Sequence, residues 1–173
     1  EFVAKIAEES QKGQKNQSRI AGIVSHANLT LGDLVDEILD AHEEVGRGLF
    51  RGVRHAGARD ENRDALMIPG LGEKDLFARE DFRHGVRMLG RRGLTYESWH
   101  YHHQIKSFTD LAKAVPDTVI ILDHLGTPLG VGPYQDKRDD IFKQWKKDMA
   151  ELARCDNVYA KLGGMAMPDN GFN

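Results

Sequence analysis

Thr118-Val119-Ile120-Ile121-Leu122-Asp123-His124-Leu125-Gly126 is the stretch on which the fold turns. Thr118–Leu122 is short and almost wholly apolar, and three of its five residues are Val or Ile. That is the composition of a strand covered on both faces, as strands of parallel sheets are. The run then breaks abruptly into an acid, an imidazole and a glycine.

The same pattern repeats on both sides. Strand-like runs are predicted at Ile20–Val24, Phe50–Arg54, Leu94–Tyr101 and Val158–Leu162. Helical periods lie between them. Phe2, Val3 and Ile6 share one face of the first helix. Leu34, Val35, Ile38, Leu39, His42 and Val45 stripe the second, with a start signal at Thr30 and Asp33 and a stop at Gly46. Phe82, Val86 and Leu89 line the third. Phe108, Leu111, Ala112 and Val115 line the fourth, which Pro116 ends. Ile141, Trp145, Met149 and Leu152 line the fifth. Strands alternating with helices imply parallel pairing through right-handed crossovers. Two α/β architectures satisfy that order, an open doubly wound sheet and a closed barrel. No glycine-rich nucleotide fingerprint follows any strand, which counts against a dinucleotide-binding sheet.

Composition narrows the classes further. The 173 residues make one domain's worth of chain, fewer than the ~250 of a complete eight-unit barrel. Hydrophobic residues at 40% and charged residues at 29% describe a globular chain. The net charge of −3 gives no electrostatic reason to expect nucleic acid or an anionic membrane as partner. No apolar run approaches the ~18 residues of a membrane helix. The single cysteine, Cys155, forbids an intrachain disulfide, fits a reducing, cytoplasmic setting and reads as a buried structural thiol. The chain starts inside a helical pattern and stops just after a strand and turn, so further chain is expected on both sides.

Chemistry-bearing residues gather where strands end. The runs close as Ser25-His26, Arg54-His55, Trp99-His100-Tyr101-His102-His103-Gln104, Asp123-His124 and Lys161-Leu162-Gly163-Gly164. In a parallel barrel those ends meet around one pocket. Imidazoles placed there can bind a metal, move protons or polarise a carbonyl. His42 and His84 fall inside helical patterns and read as structural. Alternation puts His100 on the opposite side of its strand from Trp99 and Tyr101. The connections 56–78 and 125–137 are unusually long, and the first reads as a solvated surface loop.

Five segments together resemble the amidohydrolase superfamily, in the branch of metal-dependent TIM-barrel hydrolases that includes lactonases for sugar acids and pyrones. They are Gly22–Leu29, Phe50–His55, Trp99–Gln104, Ile121–Gly126 and Lys161–Met165. Leu122-Asp123-His124-Leu125-Gly126 with Gly132-Pro133-Tyr134, and Tyr101-His102-His103-Gln104, are the most specific; relatives usually carry Pro where His103 stands. The resemblance implies a (β/α)8 TIM barrel, incomplete here and supplying roughly strands three to seven, as a single partial domain over residues 1–173. It implies a hydrolase that opens a small sugar-acid or dicarboxylate-type lactone with activated water. A metal-dependent decarboxylase of the same superfamily, and an inactive fragment serving as a binding module, are the alternatives.

The resemblance assigns catalysis to His124 and His102, which are also the candidate metal ligands. It assigns substrate contacts to Arg54, His55, His26, Trp99 and Tyr101. The cofactor is then one divalent metal, zinc, or none, because some lactonase relatives work without metal. The superfamily's His-x-His pair at the end of strand one and its catalytic Asp at the end of strand eight would both fall outside Glu1–Asn173. The expected partner is a small-molecule substrate, with a homo-oligomer or further chain segments completing the barrel.

Overall fold

The run at Thr118–Leu122 becomes the fourth of five parallel strands, and each strand pairs with its neighbour in sequence. The computed structural model describes residues 1–13 and 18–172. Its helices are α1 (Phe2–Gln11), α2 (Leu34–Gly46), α3 (Glu80–Arg91), α4 (Ile105–Ala114) and α5 (Arg138–Leu152). Its strands are β1 (Ile23–Ser25), β2 (Phe50–Arg54), β3 (Thr95–Ser98), β4 (Ile120–Leu122) and β5 (Val158–Ala160). Helix and strand alternate throughout, in the sheet order β1-β2-β3-β4-β5. This is an incomplete (β/α)8 barrel: five staves, with β1 and β5 as its edges.

The helices cover one face of the sheet. Val35 and Leu39 of α2, Phe82, Val86 and Leu89 of α3, and Phe108 and Leu111 of α4 are buried against Val53, Tyr96, Ile120 and Leu122. At about 25 cal/mol per Å² of apolar surface removed from water, this layer is the main source of stability. β2 and β3 approach so closely that a Cβ on Gly52 would sit 2.2 Å from Thr95 Oγ1 and 2.4 Å from its carbonyl oxygen. Glycine there is a packing requirement.

Several expectations need correction. β3 and β5 are shorter than their apolar runs because pairing stops where the chain turns over the barrel mouth, whereas β1 starts three residues later than expected, at Ile23, and extends to Ser25. Val24 and Val119 are 40% exposed, so β1 and β4 are covered on the helix side and open on the concave side. In α1 the buried residues are Ala4 and Ala7, while Phe2 is 76% exposed. Cys155 is half-buried and packs against the core.

The connection 56–78 is a surface loop with turn structure, exposed over residues 61–65 and 73–75, but it is also anchored in the core. It contains two 3₁₀ turns and an antiparallel bridge between Arg59 and Leu71. It also inserts Leu76 and Phe77 into the core. Buried Asp169, beyond β5, accepts from the N–H groups of Met67 and Ile68 at 2.7 and 2.9 Å and clamps this loop to the end of the chain.

Candidate active site

A cleft of 730 Å³ opens at the C-terminal ends of the strands, with His26, Arg54, His55, Glu97, Trp99 and Lys161 around it and Pro69–Glu73 as one wall. The parallel register builds it. β2 and β3 place Arg54 opposite Glu97. β4 and β5 pair Leu122 with Ala160, which brings Asp123 and Lys161 side by side.

These four side chains form one charge cluster. Arg54 lies 3.1 Å from Glu97 and 3.0 Å from Asp123, and Lys161 lies 2.5 Å from Glu97 and 3.3 Å from Asp123. The carboxylate side chains are 4% and 0% exposed, whereas Arg54 and Lys161 keep 45% and 42%. Two carboxylates sharing a pocket would repel, and the two cations cancel that repulsion. Arg54 is therefore already committed to carboxylates of the protein itself. The half-exposed cations still face the cleft, where they can stabilise negative charge that develops on a bound group. Asp123 and Lys161 stand in the strand-end segments of the sequence without an assigned role, and Glu97 lies unmarked inside a strand-like run. The signal was there: a charged residue inside or directly after an otherwise apolar parallel strand points to the barrel mouth.

Two imidazoles stand beside the cluster. His26 Nδ1 is 3.0 Å from the Arg54 carbonyl oxygen, and His42 Nε2 lies 3.2 Å from the carbonyl of His26 itself. His55 Nδ1 accepts from the Leu29 N–H at 3.2 Å. The His26 and His55 rings meet edge to face at 5.7 Å, and Phe82 packs on the far side of His55 at 5.3 Å. Burial, helped by the charge of His26, pushes His55 down to about 4, so it is neutral at neutral pH.

The other expected residues lie elsewhere. The structure brings His26, Arg54, His55 and Trp99 together and leaves His102, His124 and Tyr101 off the cleft lining. His102 is buried, accepts from the Leu129 N–H at 3.3 Å and packs edge-on against His103 and Tyr134. Burial, then the charge of His103, pushes it down to about 4. Tyr101 is fully buried; its hydroxyl donates to the Ile68 carbonyl and accepts from the Gly70 N–H. His100 packs on the helix side against Phe77 and Phe108.

His124 opens four consecutive residues with positive φ, at 53°, 54°, 70° and 36° through Thr127. A non-glycine residue in that region costs about 1–2 kcal/mol. Trp145 Nε1 donates to the Leu125 carbonyl at 2.8 Å and Trp99 Nε1 to Thr127 Oγ1 at 3.0 Å, which hold the turn. The His124 ring lies against Gly164, where a Cβ would fall 2.4 Å from Nδ1.

These residues do not make a metal centre by themselves. Among the described residues no three His, Cys, Asp or Glu side chains are grouped to hold an ion. Of the carboxylates that line the cleft, Glu97 is paired with Arg54 and Lys161 and Glu73 with Arg79, cations that a divalent ion would have to displace.

Fold and cleft define a class, a partial parallel β/α barrel with its polar groups at the strand C-termini. The family model described as amidohydrolase matches residues 15–172. The uncharacterized protein y4mH of Sinorhizobium fredii is 34% identical over 146 residues, 84% of this chain and 45% of that protein. Two crystal structures of an amidohydrolase from Burkholderia multivorans, one with bound zinc and one with bound HEPES, each superpose with a TM-score of 0.67. They are 22% and 23% identical, and the match covers 95% and 94% of this chain and 49% and 50% of theirs. The chain belongs to the amidohydrolase family, and it spans about half the length of these relatives.

Proposed function

We propose that the whole protein hydrolyses a small, polar lactone, and that residues 1–173 supply the arc of its active site that binds the ring. The carrying observation is the cleft itself: two half-exposed cations anchored on buried carboxylates, next to two imidazoles, at the strand ends of an amidohydrolase-family barrel. Opening a lactone requires a polarised carbonyl, an activated water and a proton for the departing alkoxide. Arg54 and Lys161 suit the first task, because each has donors left over after pairing with Glu97 and Asp123. In this reading the edges β1 and β5 are paired by further strands of the same polypeptide, and the protein works in the cytoplasm on a free small molecule.

The test is a panel of hydroxylated and carboxylated lactones, followed by acid release, on the protein as its gene encodes it. Turnover of at least one lactone is expected, with Lys161→Met lowering kcat by about 10²–10³. Inactivity across the panel, or an unimpaired Lys161→Met enzyme, would defeat the proposal. Release of carbon dioxide without ring opening would transfer the protein to the decarboxylases.

A further inference from the structure

We infer that His26 and His55 form a donor–acceptor pair that grips a single hydroxyl group of the ligand. The backbone sets their rings in opposite tautomers. A carbonyl oxygen can only accept, so the contact from His26 Nδ1 to the Arg54 carbonyl, 3.0 Å, puts the proton of neutral His26 on Nδ1. Its Nε2 is then a bare acceptor. A backbone N–H can only donate, so the contact from Leu29 to His55 Nδ1, 3.2 Å, leaves the proton of His55 on Nε2. One cleft thus holds an imidazole acceptor and an imidazole donor, with ring centroids 5.7 Å apart.

A hydroxyl is the group that fits both. It donates one hydrogen bond and accepts others, whereas a carboxylate only accepts and an ammonium only donates. The pair is also preorganised. His42 holds the His26 backbone, and Phe82 backs the His55 ring. Rings held this way lose little freedom when a ligand arrives. The burial that pushes His55 down to about 4 keeps it a neutral donor at neutral pH.

This inference deepens the lactone reading and rests on it for the ligand, but its first readout needs no turnover. In the gene-encoded protein labelled with ¹⁵N-histidine, the ring signals at neutral pH are expected to show His26 protonated at Nδ1 and His55 at Nε2. A γ-lactone with ring hydroxyls is expected to move both ring signals and to bind about tenfold tighter than unsubstituted γ-butyrolactone. His26→Phe is expected to bring that ratio close to one. The same tautomer in both rings, equal affinity for the two probes, or an unchanged ratio in His26→Phe overturns the pair. The wild-type ring signals decide the matter even if a variant at His55 fails to fold. Binding through both rings without turnover of any lactone would uphold the pair and sink the reaction. Turnover with silent rings would do the reverse.

Discussion

The two arcs of the barrel mouth carry the same residue type and use it in opposite ways. On the β1–β2 arc, His26 and His55 bond the backbone through one nitrogen and line the cleft. On the β3 arc, His100 and His102 are buried, and His103 is tied to Asp60 at 2.8 Å. The difference comes from the connections. The chain after β1 reaches α2 quickly and leaves its own strand end open. The long connections after β2 and β4 both fold over the end of β3. Asp60 from the first accepts from Tyr134 of the second. Burial alone would raise the Asp60 carboxyl, but hydrogen bonds from Tyr134, the Asn62 N–H and His103 outweigh it and hold it below the usual carboxylate range. A strand-end histidine is thus left for chemistry or turned into core by the loop that follows its neighbours.

If that contrast is right, the covered arc carries stability and the open arc does not. Phe77, from the connection after β2, is buried and meets His100 and Phe108 edge to face at 5.2 and 5.4 Å. Phe77→Ala is expected to cost about 3–5 kcal/mol in denaturant unfolding. On the cleft wall of the same connection, Leu71 is 81% exposed, and Leu71→Ala should stay within about 0.5 kcal/mol. Equal losses would erase the distinction between the two arcs.

Acid sharpens the comparison next. Burial, with a smaller contribution from the charge of His103, pushes His100 down to about 3. The unfolded chain binds a proton near pH ~6.5 and the folded chain does not, so the unfolded state holds more protons throughout the window between those values. Stability from this residue is complete above that window and is lost as pH falls through it. The loss attributable to His100 is expected to be about 2–3 kcal/mol by pH ~4.5. Unfolding midpoints measured against pH should show it, and His100→Phe should flatten the acid limb. A limb unchanged in the variant would show that His100 is not kept neutral by its surroundings.

The clasp that holds the covering loop comes third. Asp169 satisfies two backbone N–H groups from within the interior. Asp169→Ala leaves both unpaired and is expected to cost about 1–3 kcal/mol, with faster amide exchange at Met67 and Ile68. Exchange that stays slow there would mean the loop is held by Tyr101 and Gln104 alone.

Much of this architecture was legible. Phe50–Arg54 reads as a strand and is one, and the βα alternation leads directly to the parallel order. What could not be read was which strand ends are roofed. The segment Trp99–Gln104 supplies a cleft residue, a core residue and four loop anchors in succession, because parity ends with the strand and long-range contacts take over. The pairing of Arg54 with Glu97 depends on register, and the left-handed turn at His124 on tryptophans 21 residues downstream and 25 upstream. Neither is a local property. The apolar edge of α1 misled for a related reason: hydrophobic spacing marks a face that can be buried, not one that is.

The smallest expected effect on stability falls at the residue with the largest expected effect on binding. The His26 side chain is exposed; its one ring contact to the backbone is at the surface, and its neighbour His55 remains supported by Leu29 and Phe82 after it is gone. His26→Gln is therefore expected to shift the unfolding free energy by no more than about 0.5 kcal/mol. Glutamine also offers a donor and an acceptor on one amide, but on a flexible stem without the ring geometry that the Arg54 carbonyl enforces, so preference for a hydroxylated ligand should weaken without vanishing. Thermal unfolding and ligand titration on the same preparation separate the two outcomes. A stability loss comparable to that of Asp169→Ala would mean that His26 belongs to the scaffold like the histidines of the covered arc. The open arc would then differ from the covered one only in exposure, and not in what its histidines are for.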